Sequence, residues 1–200
     1  MGASSIFLIR HCESTGQAPD ARLTEAGTKA AVALQEILDR LGIDAVYSSP
    51  FRRALETVAP YAESRKLTVG IDERFSERRL SPLPLTDWLD HIQRSFLDFD
   101  YRVAGGESMR EAQARGIAAL GDVASASHRA PAVSMHGNLL SAILCSIDET
   151  FGFGDWQKLK NPEIFRVRWK AGRPTGFNRL EISIGSERMH GVVRQDSGGS

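Results

Sequence analysis

The chain has 200 residues and a mass of 22.0 kDa, the size of one domain. Its hydrophobic share of 42% and charged share of 25% are those of a globular protein and exclude disordered and fibrous classes. The 25 Lys and Arg balance the 25 Asp and Glu, so net charge gives no basis for nucleic acid or an anionic membrane as partner; any anion must be held by a local cluster.

Residues 5–11 (SIFLIRH) are a short β-branched, apolar run without polar alternation, which predicts a strand covered on both faces. Residues 23–41 place Ala30, Val32, Ala33, Leu34, Ile37, Leu38 and Leu41 at mostly helical spacing, with Thr24 as N-cap and Gly42 as the stop. A strand at 44–48 (DAVYS), a helix at 51–66 with a kink at Pro60, and a short strand at 67–71 follow. Residues 72–106 lose this regularity, mixing Arg, Pro and aromatics around a helix at 86–99, and read as an insertion over one sheet edge. A helix at 108–127, a buried strand at 130–136 (APAVSMH) and a buried helix at 138–147 resume the alternation. Segments 164–169 (IFRVRW) and 177–184 (FNRLEISI) alternate and predict an outer hairpin, and 195–200 (QDSGGS) reads as a disordered tail. The expected architecture is α/β: a three-layer sandwich with a mostly parallel central sheet flanked by helices. It forms a single domain over residues 1–194, with an inserted cap region at about 72–106.

The longest mostly apolar stretch, residues 139–147, is far below the roughly 20 residues of a membrane span, and MGASSIFLIRH lacks the basic start and apolar core of a secretory signal. Cys12 and Cys145 give neither a disulfide framework nor zinc spacing, so a reducing cytoplasm is expected. Asp98 and Asp100 have no ligand partners at suitable spacing, so no metal site is expected, and no cofactor. His91, His128 and His190 read as surface residues; Trp88, Tyr101 and Trp156 read as core or interface aromatics.

The chemistry-bearing residues sit at strand ends. Arg10-His11 follows the first strand and His136-Gly137 the later one, and in open α/β sheets the carboxyl ends of strands border the ligand crevice. The strand at 44–48 ends in Ser48-Ser49-Pro50 and leads into a helix whose first turn holds Arg52 and Arg53. A helix N-terminus with guanidinium groups suits a phosphoryl anion, though periodicity does not choose between the two arginines. His11-Cys12 also begins the H-C-x5-R pattern of cysteine-dependent phosphatases, but the required Arg falls at Ala18, which leaves the thiol without activation.

L-I-R-H-C-E-S at residues 8–14 resembles the R-H-G-E-S/T motif of the histidine phosphatase superfamily, cofactor-dependent phosphoglycerate mutase-like branch, with Cys12 where the motif has Gly. L-T-E-A-G at 23–27 is similar to the family's first-helix opening, and Y-S-S-P-F-R-R-A-L-E-T at 47–57 resembles its S-S-P-x-x-R-A-x-x-T block, which selects Arg53. Glu77 in E-R-F-S-E-R-R-L falls where the family keeps its acid, with Glu73 as fallback; G-G-E-S at 105–108 and V-S-M-H-G-N at 133–138 complete the resemblance. It implies a phosphoglycerate mutase-like fold with His11 as nucleophile. Arg10, Arg53 and His136 would supply fixed positive charge to the phosphoryl oxygens, and Glu77 would protonate the leaving alkoxide and then deprotonate water. Ser14, Gln17, Gly137 and Asn138 are the further substrate-binding candidates.

Three departures matter. A side chain at Cys12 is costly if that backbone needs positive φ or close approach to phosphate. Gln17 stands where the family commonly has Asn, with the same amide on a longer stem. The 16–22 loop is short and lacks the Trp-Asn pair of the glycolytic mutases. The expected function is a metal-independent phosphatase of small phosphomonoesters acting through phosphohistidine. The alternatives are a phosphoglycerate-type mutase, or a phospho-ligand binding protein weakened in catalysis by Cys12. The leaving group falls to residues 78–106, which carry no motif; taken by itself, the run of Arg74, Glu77, Arg78 and Arg79 reads as a solvated loop. A homodimer stays open.

Overall fold

The structure, a computed structural model, describes residues 3–182 and the short strand Arg194–Gln195. Strands β1 (Ser5–Arg10), β2 (Ala45–Ser48), β3 (Val69–Ile71), β4 (Pro131–Met135), β5 (Glu163–Lys170), β6 (Arg173–Glu181) and β7 (Arg194–Gln195) form one sheet in the order β3-β2-β4-β1-β5-β6-β7. Pairing is parallel from β3 to β1 and antiparallel from β1 to β7. The expected α/β sandwich is present, but the sheet is mixed and not mostly parallel, with three parallel and three antiparallel pairings among the described strands; the parallel half is the one that ends in the predicted site.

Strand β1 shows why the sequence lacks polar alternation. Successive side chains point to opposite faces, so Ile6 and Leu8 enter one core while Phe7 and Ile9 enter the other. Each such burial contributes roughly 1.5–3 kcal/mol. On the Phe7 and Ile9 face lie α1 (Glu25–Arg40), through Ala31, Leu34, Ile37 and Leu38, and α2 (Arg52–Arg65), through Val58 and Tyr61. On the other face lie α4 (Met109–Ser125) and α5 (Gly137–Cys145), through Leu120, Val123, Leu140 and Ile143. Two helical layers therefore enclose the sheet.

The local signals act as read. Thr24 caps α1 by accepting from the Gly27 N–H, and Gly27 is needed because a Cβ there would lie 2.0 Å from the Glu13 carbonyl oxygen. Ser108 and Glu111 form a reciprocal capping box at the start of α4. Helix α2 runs through Pro60 without a break. The predicted hairpin is β5–β6, and it extends the same sheet past β1. Gln195, read as the start of the tail, lies in β7 and pairs with Leu180 of β6. Residues 196–200 lie outside the described residues, as do 183 and 184 of the predicted second hairpin strand.

Within 72–106, a 3-10 turn at Glu73–Phe75 is followed by α3 (Trp88–Leu97). A short helix not read from the sequence, α6 (Phe153–Gln157), anchors α3 through the Trp88–Trp156 and Phe96–Phe153 ring pairs, with centroids 6.5 and 6.0 Å apart. The two tryptophans thus hold elements together, while Tyr101 stacks on His91 and lies under the Arg94 guanidinium.

Candidate active site

Strands β2, β4 and β1 are parallel neighbours, so their carboxyl ends reach the same edge of the sheet. The chain leaves β1 with the His11 N–H bonded to the Met135 carbonyl at 3.0 Å, and leaves β2 with the Ser49 N–H bonded to the Ser134 carbonyl at 2.9 Å. This brings His11, His136 and Ser49 together: the imidazole centroids are 5.2 Å apart, and His136 Nε2 lies 2.8 Å from Ser49 Oγ.

His11 Nδ1 lies 2.7 Å from the Cys12 carbonyl oxygen. A carbonyl can only accept, so Nδ1 carries the proton and Nε2 keeps a lone pair. Arg53 Nε donates to that Nε2 at 3.1 Å. Burial, with the Arg53 and Arg10 charges adding to it against the opposing Cys12 bond, lowers the His11 pKa to about 4, so the ring is neutral at pH 7. Asn161 Nδ2 donates to the His11 carbonyl at 2.7 Å, a contact for which the sequence offered no signal.

Arg53 is wholly buried, whereas Arg52 is exposed and pairs with Glu56 at 2.8 Å. Burial decides between the two arginines. Arg53 Nη1 donates to the carbonyls of Gln17 at 3.1 Å and Ala18 at 2.9 Å. The position where a cysteine phosphatase would carry its own Arg thus contributes a main-chain acceptor. Arg10 Nη1 donates to the Leu159 carbonyl at 2.6 Å, and its guanidinium lies 3.2–3.3 Å from where a Cβ on Gly137 would sit, so Gly137 makes room for Arg10.

Glu77 accepts from the N–H groups of Asn138 at 3.1 Å and Leu139 at 3.0 Å, and from its neighbour Arg78 at 2.9 Å. The carboxylate therefore sits on the N-terminus of α5, and its field reaches Arg10, Arg53 and Arg78. Glu73 is exposed and accepts from Ser76 Oγ at 3.3 Å, which leaves Glu77 as the carboxylate among the arginines.

The remaining candidates sit as follows. His136 is fully buried, and that burial, with the Arg53 charge adding to it, holds its pKa well below the ordinary value, so its ring is neutral at pH 7 where the sequence suggests a positive charge. Gln17 is exposed and reaches Arg53 through its carbonyl, not its amide. Ser14 Oγ donates to the Gly16 carbonyl at 3.1 Å and shapes its own loop. Asn138 contributes its N–H to Glu77, while its Oδ1 is buried without a protein partner. Arg78 is not solvated: it is 3% exposed.

Cys12 is not among the non-glycine residues with positive φ, and its thiol is buried in the core beside Ile9 and Leu23. Its N–H donates to Thr57 Oγ1 at 2.9 Å, and Thr57 donates to the Arg53 carbonyl at 2.7 Å. The side chain that replaces glycine points away into apolar packing and strains nothing. Burial pushes the thiol up to about 12, so it is no thiolate nucleophile.

Among the described residues no three His, Cys, Asp or Glu side chains gather as a metal-ion cluster, and no helix is long and apolar enough to cross a membrane. His91 is half-buried between Tyr101 and Asp87, His128 is half-buried beside Tyr47, and His190 lies outside the described residues.

The model of the histidine phosphatase superfamily (branch 1) matches residues 6–178. The chain belongs to that superfamily. With phosphatases among its relatives, it is a phosphomonoester hydrolase of the histidine-phosphatase type with a phosphoglycerate mutase-like fold. A candidate phosphoserine phosphatase of Hydrogenobacter thermophilus is 26% identical over 155 residues, covering 70% of this chain and 76% of that protein. The mycobacterial glucosyl-3-phosphoglycerate phosphatase, solved with vanadate, is 25% identical with a TM-score of 0.68 over 84% of this chain and 96% of that one. An Entamoeba histolytica phosphoserine phosphatase variant, solved with phosphoserine, shares the fold with a TM-score of 0.66 at 22% identity, over 86% and 95% of the two chains.

Proposed function

We propose that this histidine phosphatase hydrolyses small phosphomonoesters through a phosphohistidine formed on Nε2 of His11. The observation that carries the reading is the His11 ring: proton on Nδ1, lone pair on Nε2, and the Arg53 guanidinium donating to that same nitrogen at 3.1 Å. A phosphoryl dianion entering there takes the Arg53 donor for its oxygens as Nε2 bonds to phosphorus. Arg10 adds the second fixed charge, and His136 a neutral hydrogen bond. The ester oxygen leaves with a proton from Glu77. Glu77 then takes a proton from the water that attacks the phosphohistidine, which returns His11 and releases inorganic phosphate.

All five residues belong to one chain, so the reaction as proposed needs no second copy, and a homodimer would leave this chemistry as it stands. Residues 72–106 are read as a cap belonging to the same domain, supplying Glu77 and the leaving-group wall. The relatives' names point to phosphoserine and glucosyl-3-phosphoglycerate, both phosphate esters that also carry a carboxylate, as the substrate type to try first. The two free thiols suit a reducing, cytoplasmic setting. Acid–base trapping tests the mechanism: quenching with phosphorus-labelled substrate is expected to leave an acid-labile, base-stable phosphoprotein in wild type and none in His11→Ala. Label on Cys12 instead would overturn it.

A further inference from the structure

The chain that carries Glu77 is irregular: the 3-10 turn Glu73–Phe75 ends just before it, and residues 77–80 form no helix or strand. A proton donor must hold its place closely, since a displacement of about 1 Å can cost roughly 10²-fold in rate. An arginine from another element supplies the restraint. Arg115, about two turns past the Ser108 cap of α4, donates through Nη1 to the carbonyls of Arg74 at 2.6 Å and Ser76 at 2.9 Å. Ser76 directly precedes Glu77. The remaining nitrogens of Arg115 grip Glu107, Nε at 2.6 Å and Nη2 at 2.8 Å, with the two side chains only 22% and 19% exposed. A planar guanidinium can serve a carboxylate and two carbonyls at once because its donors stand in a fixed fork.

Glu107 holds the other side of the acid. Its main-chain N–H donates to the Arg79 carbonyl at 2.7 Å, and Gly106 permits that approach, because a Cβ there would lie 2.2 Å from the Leu80 carbonyl oxygen. The main chain is thus tied at residues 74 and 76 before Glu77 and at residue 79 after it. The helix that provides Arg115 is locked in turn to the helix that receives the carboxylate. At Gly116, next to Arg115, a Cβ would lie 2.9 Å from Leu139 Cδ1 and 3.0 Å from Ile143 Cδ1, and Gln113 Nε2 donates to the Ala142 carbonyl at 2.7 Å. So α4 holds the Glu77 main chain while α5, through the Asn138 and Leu139 N–H groups, holds its carboxylate.

Resting on the phosphatase reading above with Glu77 as its acid, we infer that Arg115, anchored by Glu107, is the positioning residue for that acid and acts on catalysis only through the place it gives Glu77.

The test compares two esters of similar shape, phenyl phosphate, whose phenolate leaves poorly without a proton, and p-nitrophenyl phosphate, whose nitrophenolate hardly needs one. Arg115→Met should lower kcat on phenyl phosphate by roughly 10- to 100-fold, the scale of a misplaced catalytic group. On p-nitrophenyl phosphate kcat should stay within about threefold of wild type, as should KM on both. In a Glu77→Gln background, where no acid is left to position, the same substitution should change phenyl phosphate turnover by less than about threefold. The Arg115 charge also reaches His136, and losing it would act on both substrates alike. Equal losses on the two esters, or a loss on phenyl phosphate that persists undiminished in the Glu77→Gln background, would overturn the inference in favour of a merely structural arginine. Should Arg115→Met fail to fold, Glu107→Gln keeps the main-chain bond to Arg79 and removes the charge that anchors the fork. It should show the same selective loss at roughly 3- to 10-fold, and no selectivity there would equally overturn the inference. Wild type inactive on p-nitrophenyl phosphate strikes the phosphatase reading itself, and Glu77→Gln without leaving-group dependence strikes the choice of acid, whereas a selective Glu77→Gln beside an unselective Arg115→Met strikes only Arg115.

Discussion

The site has a floor and a wall, and they are built differently. On the floor, each reacting group is tied to the scaffold: His11 to the Cys12 carbonyl, Arg53 to the Gln17 and Ala18 carbonyls, His136 to Ser49. These groups stand at adjacent ends of parallel strands or in the first turn of α2, so their spacing follows from sheet geometry. On the wall, Glu77 is held by α5 but the Arg78 guanidinium has no hydrogen-bond partner, and the loop and helix beyond are open, with Leu83 72% and Leu97 85% exposed. Phosphoryl transfer needs groups fixed within fractions of an ångström and is housed on rigid strand ends. On the proposed reading, leaving-group choice falls to a connecting segment, which tolerates change without disturbing the core.

Removing a floor residue should therefore hurt every substrate, while changing the wall should sort substrates. His11→Ala is expected to lose roughly 10⁴-fold or more in kcat on all phosphomonoesters, as removal of a nucleophile does; steady-state assays on an alkyl and an aryl phosphate check this. Glu77→Gln should lower turnover of an alkyl phosphate by roughly 10²–10⁴-fold and that of p-nitrophenyl phosphate far less, since a nitrophenolate leaves without a proton. Equal losses would mean that Glu77 only caps α5, and the comparison between floor and wall would lose its catalytic half.

The buried imidazoles of the floor make the fold sensitive to acid. His11 titrates at about 4 when folded against 6.5 when unfolded, so between those values the unfolded chain binds a proton the native one refuses. The sign is that stability is fully present above pH 6.5 and falls by about 3 kcal/mol as pH drops to 4, and His136 acts in the same direction. The melting temperature should fall over that window, and His11→Asn should flatten the fall. The smallest functional effect is expected at Cys12. Cys12→Ser should keep turnover within about tenfold, or roughly 1.4 kcal/mol of barrier. Cys12→Gly, which restores the motif, should cost about 1–2 kcal/mol of stability by emptying core volume and loosening the backbone, without raising activity. Thermal melts and turnover decide both, and the folded thiol should resist iodoacetamide at neutral pH.

What the sequence determined by itself was whatever depends on local pattern. The unbroken apolar run at Ser5–Arg10 required two covering layers, Thr24 and Ser108 announced helix starts, and the two His-bearing strand ends located the chemistry. Tertiary structure decided what depends on neighbours far away in the chain. Periodicity could not choose between Arg52 and Arg53, because both occupy the first turn of α2; the choice is made by Gln17, Ala18 and His11 packing against one side of that helix. The His11 tautomer is set by a carbonyl orientation, and the stepping of Asn161 onto the His11 carbonyl needs a partner 150 positions away. Arg78 looked like surface because a charge run carries no signal of burial. Its guanidinium is out of water in the folded chain, and desolvation of that kind is a property of the packed molecule and not of any stretch of its sequence.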